Sequence, residues 1–245
     1  MLNAKYRVTE LFGIPVFVDA SCLLLLGIMV LNAGSLSYGI ATALLLAISI
    51  VAHELGHALT AAAFGYRTRD ITISLLGGCA SLIALPRTPW KEFLTALAGP
   101  LVSFALAGLA YFIAESARIG SSFVFNLVAY MFWMNIMLGA FNLLPGFPMD
   151  GGRVFRSAMT MFMTRAQATK VAMYVGRAFA VLLGLSGLNA LLGGGAFGLV
   201  RILIAWMIWK EGYREYLLAK RDENFRTWTQ ADFEARVSPP PYERG

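Results

Sequence analysis

Thiols, imidazoles and charged side chains are scarce in this chain. Its 245 residues include two cysteines and two histidines, and only 14% are Asp, Glu, Lys or Arg. Cys22 and Cys79 lack C-x-x-C spacing, so neither a thiolate zinc site nor a disulfide framework is indicated. The hydrophobic share is 58%, whereas ordinary soluble domains have about 45–50%. The sequence therefore predicts a membrane protein.

The net charge of +6 does not indicate a nucleic-acid-binding protein. The basic residues are spread over the segments between apolar runs and do not form a basic patch with interleaved aromatic residues, which would indicate nucleic-acid binding. We therefore expect no nucleic-acid partner. The sequence gives no indication of the oligomeric state.

Six apolar runs are long enough to be transmembrane helices. About 20 residues are needed to cross about 30 Å of hydrocarbon as a helix. The runs lie near residues 16–32, 39–64, 93–115, 123–144, 167–192 and 196–212. We therefore predict a mainly α-helical membrane protein with six transmembrane helices in one domain, residues 1–215, followed by a short flexible cytoplasmic tail, residues 216–245.

The distribution of Lys and Arg predicts the orientation of these helices. Two basic residues precede the first run, four lie between the second and third runs, four follow the fourth run and seven lie from Lys210 onward. The alternate connections contain only Arg118. Because cytoplasmic loops are rich in Lys and Arg, we expect a multi-pass protein of the cell membrane with both termini in the cytoplasm.

A small β-sheet is predicted on the cytoplasmic side. The stretch "RDITISLLGGCASLIAL" alternates around Gly77 and Gly78 and reads as a hairpin with strands near Asp70–Leu75 and Cys79–Ala84. A further strand is predicted in "YRVTELFGIPVFV". An open sheet edge cannot face hydrocarbon, so this sheet should lie at the membrane interface or line a cavity. Its edge, with Gly77 and Gly78, is a candidate for pairing with an unwound substrate strand.

The segment "HELGH" in the second run carries both histidines of the chain. His53 and His57 are four residues apart, so a helix projects them from one face with a rise of about 6 Å between them. In the pattern H-E-x-x-H, two histidines bind zinc and the glutamate, here Glu54, moves protons without binding the metal. Three ionisable residues within a membrane span are costly without a function. The pattern therefore predicts a zinc peptidase.

A hydrolytic zinc needs a third protein ligand, and no histidine remains. Cys22 and Cys79 are possible, but Asp150 in "FNLLPGFPMDGGR" is the stronger candidate because it is a carboxylate directly after an apolar run. The second and fourth runs both pass from outside to inside in the predicted topology, so they bring these residues to the same leaflet. The alternative is an ordinary Asp-Gly turn residue.

Four motifs together resemble the site-2 protease family of intramembrane zinc metalloproteases: "HELGH", the "GG" of the β-like connection, "LAGP" at Leu97–Pro100 and "NLLPGFPMDGG". The resemblance covers about residues 1–215. It implies His53, His57 and Asp150 as ligands of one zinc ion per chain and Glu54 as the catalytic base. It also implies a six-span fold with a membrane-associated sheet, and substrates that are single-span membrane proteins with a cytoplasmic amino terminus.

The resemblance also suggests that Asn142 contacts the substrate backbone or the oxyanion. The alternative is that its side chain binds carbonyls left free near Pro145 and Pro148. We interpret Gly99 with Pro100 as permitting close helix packing or a kink. The connections leave no room for a PDZ or CBS domain, which indicates a compact subgroup of the family.

One function of another class uses the same residues. In a zinc transporter or metal sensor, the His and Asp side chains would bind a passing ion. Transport sites usually add ionisable residues along a path to the far side, and the outer halves of the predicted spans offer none. The sequence therefore favours the peptidase.

Overall fold

A computed structural model of the protein describes residues 5–74, 77–82, 88–116, 121–195 and 197–237. The described elements follow the order β1 Lys5–Leu11, β2 Ile14–Asp19, α1 Ala20–Asn32, α2 Leu36–Ala63, β3 Thr68–Ser74, β4 Gly77–Leu82, α3 Pro89–Ser116, α4 Ser122–Asn142, α5 Asp150–Met159, α6 Arg165–Leu192 and α7 Phe197–Val237. They form two compact units: Met1–Leu144 with Met149–Val154, and Pro145–Pro148 with Phe155–Gly245.

Four of the described helices are long and apolar enough to cross a membrane: α2, α3, α4 and α6. They match the second to fifth predicted spans and confirm a mainly helical membrane protein. The first predicted span, residues 16–32, is instead the end of strand β2 followed by α1, which has only 13 residues. The sixth falls in the first part of α7, which does not meet the same criterion.

The four strands of the first unit form one sheet in the order β1-β2-β3-β4. The outer pairs are antiparallel, and β2 lies parallel to β3, with Val16 opposite Ile71. This parallel pair is joined through α1 and α2. The β-branched residues Ile71 and Ile73 pack with Ile50 and Ala58 of α2, so the sheet is anchored to the helix that carries the histidines.

The sheet confirms the predicted hairpin and corrects its details. Strand β3 pairs with β4 in antiparallel register, but Gly77 and Gly78 are the first residues of β4 and lie opposite Ser74 and Ile73. Both glycines therefore belong to the strand and do not form a turn, and residues 75 and 76 lie outside the described residues. Part of the predicted second strand, residues 83 and 84, also lies outside them.

Helices α2 and α3 pack closely in the first unit. A Cβ added at Gly56, within "HELGH", would lie 2.9 Å from the carbonyl oxygen of Ala98 and 2.9 Å from Val102 Cγ2. These contacts are shorter than van der Waals distance, so the glycine lets the two helices approach through their backbones. The helices run antiparallel, since His57 meets Thr95 and His53 meets Ser103.

The second unit holds the loop Pro145–Pro148 against Arg156 of α5 and against α6. Phe147 is 1% exposed, and the Arg156 guanidinium lies 4.9 Å from the centre of its ring. Arg156 is also buried and donates to Glu215 of α7 at 3.0 Å. A Cβ at Gly176 would lie 3.1 Å from Gly146 Cα, so α6 contacts the loop backbone. The loop is therefore fixed inside its unit.

Helix α7 continues to Val237. The sequence predicts a flexible tail from residue 216, and residues 216–237 are helical in the structure. The sequence did not predict this part of the helix, because the many charged residues beyond Lys210 are typical of a solvated tail. The domain boundary at residue 215 stays a prediction.

Candidate metal centre

Helix α2 presents both imidazoles to one buried site. His53 is 2% exposed and His57 6%. Because they are one helical turn apart, their rings lie one above the other on the same face, and their Nε2 atoms are 3.3 Å apart. The spacing predicted from the sequence therefore brings the two nitrogens together.

Asp150 completes this group from another element. It is the first residue of α5 and is buried, and its Oδ2 lies 3.2 Å from His53 Nε2 and 3.1 Å from His57 Nε2. The chain turns sharply to place it there. A Cβ at Gly151 would collide with the carbonyl oxygens of Leu143 and Leu144, so this glycine permits the close return of the chain onto the end of α4.

The three donor atoms fit a tetrahedral metal ion. Their separations are 3.1, 3.2 and 3.3 Å, and donors bound to tetrahedral zinc at about 2.0–2.1 Å lie roughly 3.3 Å apart. Among the described residues, three His, Cys, Asp or Glu side chains lie close enough together to share an ion: His53, His57 and Asp150. Cys22 lies in the sheet core, and the side chain of Cys79 is outside the described residues.

Helix α3 holds the far nitrogens of both rings. His57 Nδ1 lies 2.7 Å from the carbonyl oxygen of Thr95, and His53 Nδ1 lies 2.9 Å from Ser103 Oγ. Because a carbonyl only accepts, His57 Nδ1 donates, which leaves its Nε2 lone pair directed at Asp150. When both histidines are neutral and protonated on Nδ1, the lone pairs of their Nε2 atoms and of Asp150 Oδ2 point toward one another. A cation between these three atoms would bind all of them.

Gly99 lies between these two contacts on the same face of α3. A Cβ there would be 2.7 Å from His53 Nε2 and 2.5 Å from His57 Cε1, and closer still to His57 Nε2. Gly99 therefore leaves free the space beside the metal-binding nitrogens. The sequence interpretation of Gly99 as a packing residue missed this role. The sequence offered no signal for it, because the space beside the imidazoles appears only when α3 is placed against α2.

The carboxyl group of Asp150 lies beyond the end of α4, and opposing effects act on its pKa. Burial raises the pKa of Asp150, but its electrostatic interaction with His57, hydrogen bonds with both imidazoles and the charge of Arg153 outweigh burial and lower it. The net effect is a pKa below the usual value of an aspartate. Asp150 is therefore a carboxylate, the form that binds metal.

The remaining predicted site residues are not among the three donors. Glu54 is 7% exposed on α2, next to His53, and its charge acts on the His57 imidazole. Asn142 ends α4, and its Nδ2 donates to the carbonyl oxygen of Leu138, four residues earlier in the same helix, at 3.0 Å. Gly77 and Gly78 lie in β4, which pairs with β3 alone in the described sheet.

Comparison with known proteins adds an independent line of argument. The model of peptidase family M50 matches residues 41–120 and 113–183. A putative zinc metalloprotease of Synechocystis is 35% identical over 94% of this chain and 65% of its own length. A zinc metalloprotease of Methanocaldococcus jannaschii is 31% identical over 76% of this chain and 55% of its own. Stage IV sporulation protein FB of Bacillus subtilis is 30% identical over 58% and 48%. The chain thus spans about half to two thirds of these relatives.

A solved structure is similar over nearly its whole length. The site-2 protease from Methanocaldococcus jannaschii superimposes with a TM-score of 0.64 at 27% identity, covering 87% of this chain and 95% of that one. The family-model match includes "HELGH" and residue 150, so it covers all three candidate ligands.

Proposed function

The chain belongs to peptidase family M50, the site-2 protease family, whose model matches more than half of its residues, and from this premise we propose that it is an intramembrane zinc endopeptidase. It hydrolyses peptide bonds within or near the transmembrane segment of single-span membrane proteins. One observation carries the proposal. Two histidine nitrogens and one carboxylate oxygen, from two separate helices, are spaced as zinc donors beside a buried glutamate.

His53, His57 and Asp150 hold the zinc ion, and Glu54 performs the proton transfers. Zinc, when bound, polarises the scissile carbonyl and offsets the negative charge that develops on its oxygen. Glu54 takes a proton from the attacking water and returns it to the leaving amine nitrogen. The carbonyl oxygen of Thr95 holds the His57 ring so that its Nε2 atom faces the site.

The chain crosses the membrane six times in this proposal, with both termini in the cytoplasm. The positive-inside pattern supports this orientation, and it places His53 and His57 in the cytoplasmic half of α2. The shorter α1 and the apolar start of α7 supply the two spans beyond α2, α3, α4 and α6. A polar cavity open to the cytoplasm brings water to Glu54.

Substrate enters as an extended strand. A helical substrate must unwind locally, because its scissile carbonyl is hydrogen bonded within the helix. Strand β4, at the end of the strand order, then pairs with the unwound segment through its backbone, and Gly77 and Gly78 allow close approach. Asn142 contacts the substrate backbone or the oxyanion after leaving its bond to Leu138.

Metal removal tests the function directly. Purified protein in sealed proteoliposomes, with a panel of tagged single-span proteins having cytoplasmic amino termini, is expected to cleave at least one of them. A chelator should stop cleavage, and about one zinc ion per chain should restore it. Cleavage by zinc-free protein would overturn the proposal. Zinc flux across the same vesicles, without cleavage, would favour the transporter.

Asp150→Ala is expected to remove the third zinc ligand. Two histidines alone bind zinc weakly, so elemental analysis of the purified variant should find far less than the single zinc ion of the wild type. Asn142→Ala, eight residues earlier, is the matched variant and should keep its zinc, since its amide faces Leu138. Full zinc content in Asp150→Ala would show that another residue supplies the ligand.

A further inference from the structure

The hydroxyl of Ser103 is the feature of α3 that the proposed mechanism leaves without a defined chemical role. Ser103 is 0% exposed, and its Oγ lies 2.9 Å from His53 Nδ1. Polar side chains inside a transmembrane helix are usually directed at a partner helix. Here the partner is a metal-binding imidazole.

His53 differs from His57 in what fixes its orientation. The Nδ1 atom of His57 meets a backbone carbonyl, that of Thr95, which every residue type provides. The Nδ1 atom of His53 meets a side chain, so its orientation depends on the identity of residue 103. A substitution can therefore remove one of the two supports and leave the other intact.

We propose that Ser103 is a positioning residue, which accepts a hydrogen bond from His53 Nδ1 and thereby directs the Nε2 lone pair of His53 at the metal. The inference rests on the proposed function of this site. With Nδ1 protonated, the imidazole has its lone pair on Nε2, the atom 3.2 Å from Asp150 Oδ2. Without the hydroxyl, His53 Nδ1 loses its hydrogen-bond partner on α3, and the ring gains rotational freedom.

The chain offers a matched control for the loss of a buried hydroxyl. Ser49 is 1% exposed, lies one turn before His53 on α2, and accepts a hydrogen bond from Asn135 of α4 at 3.1 Å. Ser49→Ala therefore removes a buried interhelical hydrogen bond of the same kind without touching an imidazole. A merely structural role of Ser103 predicts equal effects of the two substitutions.

The test measures zinc affinity by competition with a chelator in Ser103→Ala and Ser49→Ala. Loss of a group that orients a metal-binding histidine typically weakens metal binding by about 10–100-fold, so Ser103→Ala should show such a loss while Ser49→Ala stays near the wild type. Equal affinities in the two variants would overturn the inference. Absence of zinc from the wild type would instead overturn the proposed function.

A second pair of variants tests the role of the hydroxyl even if Ser103→Ala is poorly folded. Ser103→Thr and Ser103→Val have the same shape and differ in the hydroxyl. Thr should bind zinc at least about 10 times more tightly than Val. In the cobalt-loaded proteins, the visible absorption bands, which report ligand geometry, should change in Val relative to Thr. Identical affinities and spectra of Thr and Val would overturn the role of the hydroxyl.

Discussion

Gly99→Ala is expected to empty the metal centre and abolish cleavage. The added Cβ would lie 2.7 Å from His53 Nε2 and closer to His57 Nε2, well inside van der Waals contact. The rings cannot withdraw freely, since their Nδ1 atoms are held by Thr95 and Ser103. Misplacement of reacting groups by about 1 Å can cost about 100-fold in rate, and here the ligands themselves must move. We expect little zinc by elemental analysis and a loss of activity above 100-fold.

Gly108→Ala on the same helix is the matched control. A Cβ at Gly108 meets nothing within 4 Å, and alanine favours a helix over glycine by about 1 kcal/mol. This variant should keep its zinc and its cleavage rate, with equal or higher thermal stability. A Gly99→Ala protein with full zinc content would show that the site is wider than the structure indicates.

Gly56 and Gly99 have different roles where α2 packs against α3. Gly56 faces the backbone of α3 at Ala98, whereas Gly99 faces the imidazoles. From the sequence alone both read as small residues that allow close packing, because a missing side chain carries no chemical signal. Only the placement of neighbouring donors shows that Gly99 belongs to the metal site.

The ligands themselves were predictable because their chemistry is costly in a membrane. His53, Glu54 and His57 stand out in an apolar run, and the charge pattern brings Asp150 to the same leaflet. The contacts of Ser103 and Thr95 with the imidazoles were not predictable. A serine is common in transmembrane helices, and a backbone carbonyl has no sequence signature. Their assignment required the register of α3 against α2.

Strand β2 shows why the first predicted span was misplaced. "IPVFV" is apolar throughout, and a short apolar run does not distinguish a buried strand from the start of a helix. Its pairing with residues about 55 positions later, Val16 with Ile71, decides the matter. Such a distant partner cannot be read from local periodicity.

Glu54→Gln is expected to abolish cleavage while the zinc content stays at the wild-type level. The amide keeps the size of the side chain but cannot take a proton from water, and general base catalysis typically contributes about 100–10,000-fold. Because Glu54 is outside the group of three donors, the metal should remain. The measurements are elemental analysis and the rate of cleavage of the same single-span substrates.

Glu92→Gln makes the same chemical change at another buried glutamate. Glu92 is 3% exposed in the first turn of α3, outside the three donors, so this variant separates loss of the base from a general effect of neutralising a buried carboxylate. Cleavage should persist in Glu92→Gln and be lost in Glu54→Gln. Cleavage retained by a zinc-loaded Glu54→Gln protein would remove Glu54 as the base. Zinc lost from it would instead make Glu54 a ligand, and the third donor would then need reassignment.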